Sequence, residues 1–203
     1  NIFEFFTDNE RNIFDDFSEH ATSIGLTQEN NGISITVTDA VYDKENITIA
    51  YTIKSEQDLG ERPVLLGDII VDEFGNQYEH SGYSENYLVK KIDNHEYAVL
   101  YVYELISGSK PETINISWQG DNVRNLNNVS QLVDGHWDFE FSLQALENSV
   151  MNFKSHNIHS LDPGIEISLV KMTQSPISTT IQEEEKVDER LISQEQEELR
   201  LVL

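Results

Sequence analysis

From residue 32 onward the chain is ruled by alternation of apolar and polar positions. Ile33, Ile35 and Val37 alternate with Ser34, Thr36 and Thr38, a β-branched pattern that suits a half-buried strand. The phase slips at Asp39-Ala40, where Ala40 and Tyr42 bring apolar groups onto the other parity beside Val41, so a bulge or burial on both faces is expected. Asp43, Lys44, Glu45 and Asn46 supply turn chemistry. Ile47, Ile49, Tyr51 and Ile53 then resume strict alternation as the return strand of a hairpin.

Further along, residues 64–71 and 77–80, joined through Gly75-Asn76, predict a second hairpin. Residues 87–91 lead to a turn at Asp93-Asn94, and 97–105 is so nearly continuous in apolar residues that it reads as a central strand covered on both sides. Ile114, Ile116 and Trp118 alternate up to Gly120-Asp121, where that strand is expected to end. Residues 122–134 are Asn-rich and weakly patterned, and Trp137, Phe139, Phe141 and Leu143 follow as an aromatic strand. Turn chemistry fills 153–164, and Ile165, Ile167 and Leu169 open the last β pattern, which passes Met172 and Ser175-Pro176 to 177–181.

The N-terminal residues follow a different period. Thr7 and Glu10 have the spacing of a capping box, which starts a helix near Asp8. Ile13, Phe14, Phe17 and Ala21 then fall on one face while Asp15, Asp16 and Glu19 face water, and Gly25 is expected to end the helix. This stripe either docks on the core, packs on a partner or continues toward a membrane. The expected organisation is a juxtamembrane-type helix over 1–25, a β-sandwich over 26–164, and the start of a second β module with an acidic polar segment over 165–203. Residues 183–200 read as a solvated helix or disordered tail. With no βα alternation, the fold class is mainly β, an immunoglobulin-like antiparallel β-sandwich with an N-terminal amphipathic helix.

Charge narrows the partners. Among 203 residues, 37 Asp and Glu stand against 13 Lys and Arg, giving −24, so nucleic acid and anionic lipid are repelled. Zero cysteines exclude disulfides and thiolate chemistry, which leaves Trp118, Trp137, Tyr101 and Phe139 to fill the sandwich by packing alone. No run approaches the ~18 apolar residues of a membrane-spanning helix. The chain opens at Asn1 without Met, and a cut or processed fragment is expected.

Candidate chemistry is sparse. His156-x-x-His159, with Asp162 nearby, is the one closely spaced histidine pair, able to share a metal if a helical turn or loop aligns it. The sequence lacks HExxH, GxSxG and the glycine-rich phosphate loops, so neither an activated nucleophile nor a nucleotide cradle has a candidate. Acidic pairs abound in so acidic a chain and are explained by a solvated surface. The reading is a protein without catalytic residues or cofactor.

Residues 23–59, with Gly32-Ile-Ser-Ile-Thr-Val-Thr-Asp-Ala-Val-Tyr-Asp43 followed by 47–55, resemble the opening of a domain of unknown function common in spore-forming Gram-positive bacteria. Residues 169–178 are similar to the start of that family's following Ig-like module. The resemblance implies an exported domain of a membrane-anchored anti-sigma regulator. It also implies that the membrane anchor and any sigma-factor contact belong to a missing N-terminal cytoplasmic segment and helix. On that basis the chain is expected at the extracytoplasmic face of a Gram-positive cell membrane, binding a cell-envelope component or protein. Phe14 and Phe17 are then the candidate coupling residues, with core packing as their alternative role. A structural spacer, or a metal-dependent envelope-binding or hydrolytic module using His156, His159 and Asp162, are the rival expectations.

Overall fold

The computed structural model describes residues 2, 6, 13–73, 86–105, 110–159 and 165–187, with the backbone alone at 13–16, 154–159 and 165. It divides into two compact units, Asn1–Glu147 and Asn148–Leu203. The boundary therefore falls ahead of the 164/165 expected from the pattern, because the strand at 149–159 pairs with the one that follows it.

The first unit contains helix α1 (Ile13–His20) and strands β1 (Thr22–Asn30), β2 (Ile33–Tyr42), β3 (Asn46–Ser55), β4 (Pro63–Val71), β5 (Tyr87–Lys91), β6 (Glu96–Glu104), β7 (Thr113–Asn125) and β8 (Asn128–Gln144). Five strands form one antiparallel sheet in the order β1-β2-β3-β6-β5, and three form another in the order β4-β7-β8. The second unit is an antiparallel meander of β9 (Ser149–His159), β10 (Ile165–Gln174) and β11 (Thr179–Val187), with β10 central.

Period-2 alternation builds the core of the first unit. Ile47, Ile49, Tyr51 and Ile53 of β3, with Tyr97 and Val99 of β6, turn inward against Leu65 of β4, Ile116 and Trp118 of β7 and Phe139 of β8. Tyr51 and Trp118 meet edge to face at 5.2 Å between ring centroids, which joins the two sheets at their middle. The Leu65 amide donates to the Tyr51 hydroxyl at 3.1 Å, so the ring that packs on β7 also satisfies a buried group of β4. At one end the Trp137 indole of β8 donates to the Ile33 carbonyl of β2 at 3.1 Å. The expectation that 97–105 is covered on both sides holds. Ala98 and Leu100 belong to a second, outer cluster with Ala50, while their odd-numbered neighbours line the main core.

The slip expected at Asp39-Ala40 is a register shift between Val37 and Asp39, and the displaced Thr38 hydroxyl donates to the Ala50 carbonyl at 3.1 Å. Asp43 caps the following turn by accepting from the amides of Glu45 and Asn46.

Several expected boundaries are corrected. Gly25 does not end the helix; α1 stops at His20, and the positive φ of Gly25 (68°) serves a register shift inside β1. β1 is an edge strand exposed along almost its whole length, so its sequence has no face to make apolar. Residues 64–71 pair with β7, and the partner strand expected at 77–80, like the Gly75-Asn76 turn, lies outside the described residues. β7 and β8 run on through most of the weakly patterned 122–134, turning at Leu126-Asn127; a register shift between Gly120 and Asn122 breaks the alternation there. β9 occupies 149–159 where turn chemistry was expected. The capping residues Thr7 and Glu10 and most of the acidic segment lie outside the described residues.

Replacing Tyr51 by Phe keeps the ring contact and strips the Leu65 amide of its acceptor. Urea unfolding should show a loss of about 1–3 kcal/mol at unchanged m-value; an unchanged midpoint would remove this bond from the account of sheet cohesion. Burial also raises the phenol of Tyr101 to about 12 and those of Tyr51, Tyr87, Tyr97 and Tyr103 above their ordinary value. The neutral phenols therefore stabilise the fold fully below pH ~10, and that contribution fades as pH rises through the folded values. Absorbance at 295 nm should show these tyrosines ionising late and together with loss of structure. Free ionisation of all eight near pH 10 in a folded chain would contradict it.

Candidate functional site

With the inward positions filled, any site must use an outer face or a sheet end. On the outer face of the five-stranded sheet, Ala50 of β3 and Ala98 of β6 leave a shallow seat beside Leu100. Ile2 is buried there, and Phe6, Phe17, Ala21 and Ile92 pack against it half-buried. Phe17 is thus in contact with the sheet. Phe14 lies in the same helix, where the backbone alone is described.

A cleft of about 340 Å³ lies at the end of that sheet, between Glu29, Ser34, Lys54, Asp93, His95 and Glu96. One ion pair and two bonds to backbone groups order it. Lys54 pairs with Glu96 at 3.2 Å, the His95 ring meets the Ser55 carbonyl at 2.9 Å, and the His95 amide donates to Asp93 at 2.7 Å. Nearby on β5, Lys91 bridges Asp58 and Glu61 at 3.1 and 3.0 Å. The Gly60 amide, then Lys91, hold Asp58 below the usual carboxylate range. Tyr97 donates to Asp58 and accepts from the Leu59 amide, so this group fastens the loop after β3 to the sheet.

The outer face of the three-stranded sheet is different. Register places Asp68 beside Gln119 and Asp138, Ile70 beside Ser117 and Glu140, and Asn115 beside Ser142. These are the solvent-facing parity of strands whose other parity is the core. Ile70, Asn115, Ser117, Gln119, Glu140 and Ser142 line a groove of about 580 Å³ together with Asp72, Ile116 and Phe141. One corner is built in advance. Glu73 accepts from both the backbone amide of Asn115, at 2.8 Å, and its side-chain amide, and the Ser142 hydroxyl donates to Oδ1 of the Asn115 side chain at 2.6 Å. Partial burial raises the Glu73 carboxyl, but the bonds from Asn115 and from Glu73's own amide outweigh it, so it stays below its ordinary 4.5.

His156 and His159 lie on β9, opposite Leu169 and Glu166. They stand on a strand, where the backbone alone is described, and not on a helical turn or loop. Asp162 lies outside the described residues. Among the described residues no three His, Asp or Glu converge as a metal-ligand set. The groove residues were not singled out in the sequence. The signal was the polar parity of 113–119 and 138–144, but which strands stand side by side is not written in either segment.

Comparison with known proteins adds a family match. A model described as a domain of unknown function, DUF4179, matches residues 1–55. That segment spans α1, the helix seat's residue Ala50, and strands β1 to β3. No curated protein matches the chain. The crystal structure of the conserved domain protein from Bacillus anthracis is similar, with a TM-score of 0.75 and 23% identity over 93% of this chain and 63% of that one. The likeness is one of fold, and the chain spans less than two thirds of that protein's length.

Acidification tests the built corner of the groove. The Glu73 carboxylate contributes above its ordinary value and the contribution is lost as pH falls through its lowered one. The Asn115 amide proton, followed by NMR, should therefore shift with a midpoint below 4.5, and Glu73→Gln should abolish the shift. A midpoint above 4.5 would refute the arrangement.

Proposed function

We propose that this chain is a non-catalytic binding or sensory domain at the extracytoplasmic face of a Gram-positive cell membrane, belonging to a membrane-anchored regulator of the anti-sigma kind. Its body is an immunoglobulin-like sandwich. The order β2-β3-β6-β5 against β4-β7-β8 supports this, since it corresponds to the ABED and CFG sheets of the immunoglobulin constant-type arrangement with β1 added at an edge. Tyr51 and Trp118 stand on the strands that correspond to B and F, the two that antibody domains join by a disulfide.

One observation carries the functional reading: the N-terminal segment rests through Phe17 on the back of β3 and β6. The fronts of the same strands hold Tyr51 and Tyr101 against Trp118 of the sheet that bears the groove. A ligand that alters the packing between the sheets has a short route to the helix, and the helix is the element nearest a membrane anchor in the family resembled. The match of a domain of unknown function to residues 1–55 is in keeping with this setting.

The double variant Phe14→Ala, Phe17→Ala tests coupling. Unfolding of the sandwich should change by no more than about 1 kcal/mol, the helix being outside the main core, while the response of the regulated genes in the source cell is lost. A loss of several kcal/mol, as for fully buried phenylalanines, would return both residues to core packing. In parallel, the chain should retain a saturable partner from detergent-solubilised envelope or peptidoglycan; retention of none would favour a structural spacer.

A further inference from the structure

The groove on the outer face of β4, β7 and β8 has no role in holding the fold together, yet it has a definite chemistry. We propose that it binds a polyhydroxylated sugar chain carrying free amines. The inference rests on reading the domain as a binding module and names the ligand class of its site.

The volume, about 580 Å³, lies within the roughly 300–1,000 Å³ of small-ligand sites. Its walls are amides, hydroxyls and carboxylates from Asn115, Ser117, Gln119, Ser142, Asp72 and Glu140, which together offer both donors and acceptors at the spacing of neighbouring strands. A chain of hydroxyls is the complement of such a surface. Ile70, 43% exposed in the same face, with Ile116 and Phe141 in the lining, provides apolar contact for a sugar's C–H faces. Polar groups outweigh these apolar contacts in the lining, which suits a sugar better than a lipid or an apolar peptide side chain. No lysine or arginine lines it, whereas Asp72 and Glu140 do, so its charge favours an ammonium group and repels phosphate or uronate. Asn115 is already fixed by Glu73 and Ser142, which lowers the ordering cost of binding at that corner.

Calorimetric and NMR titration of the whole chain with a glucosamine pentamer, its N-acetylated counterpart and tetralysine tests the inference. The expected result is saturable binding of the glucosamine pentamer, with shifts centred on β7 and β8. Binding should weaken about tenfold on acetylation and about tenfold in Glu140→Gln, one charge-assisted hydrogen bond each. Ser117→Val, a second surface change, should weaken it as well while leaving the unfolding midpoint in place. Absence of saturable binding overturns the inference. So does binding that tetralysine matches and the two variants leave unchanged, for that is general attraction to a chain of net charge −24. Tetralysine binding that exceeds the sugar's and is lost in the variants assigns the groove to a basic peptide instead and also overturns it. A saturable envelope partner unaffected by Glu140→Gln and Ser117→Val leaves the binding-domain reading standing and removes only this ligand and its site.

Discussion

Tyr51 packs edge to face on Trp118 and accepts the Leu65 amide, so one side chain of β3 touches both β7 and β4. In a chain without cysteine the two sheets have no covalent tie, and their separation is set by what fills the space between them. Trp118 also meets Tyr101 at 6.0 Å and Phe139 at 5.9 Å, while Tyr101 stacks on Tyr87 at 4.4 Å. Aromatic rings suit this task because each buries a large area with little loss of side-chain freedom, and their hydroxyls reach backbone groups that would otherwise be buried unpaired. The raised phenol values in this row have the same origin: the rings are surrounded by protein, so the charged form is disfavoured.

Filling the interior in this way frees the two outer faces to differ. On one, alanines at positions 50 and 98 make room for Phe17 and the N-terminal segment. On the other, polar side chains make a groove in which polar surface outweighs apolar. The polar groove and the seat for Phe17 then lie on the outer faces of different sheets, with the aromatic row between them. The difference follows from strand alternation, which gives each strand one side for the core and one for the surroundings.

The hairpin of β2 and β3 was legible because β2 alternates as far as Thr38, β3 carries Ile47, Ile49, Tyr51 and Ile53 at every second position, and Asp43 to Asn46 supply turn residues. The both-sided burial of β6 was legible from its continuous apolar run. β1 was missed since an exposed edge strand carries no apolar period, although Asn31-Gly32, both at positive φ, is the two-residue turn that marks such a hairpin. The ends of β7 and β8 were missed since the register shift after Gly120 changes which parity faces inward. β9 was missed because its residues mix histidine, asparagine and serine with few apolar positions, and its pairing with β10 supplies what its own pattern lacks. The histidine pair drew attention by spacing alone, and spacing has meaning only once the element is known: three residues apart is one face of a helix and two faces of a strand.

By itself, the amino-acid sequence determined that the protein is mainly β, that its interior is aromatic without disulfides, and that its net charge is −24. These properties depend on local period and on composition, which neighbours in space cannot change. The pairing of β4 with β7, the seat for Phe17 and the groove between Asn115 and Glu140 were decided by tertiary structure alone. Each joins residues far apart in the chain, and period-2 alternation says which side of a strand is buried but not which strand lies beside it.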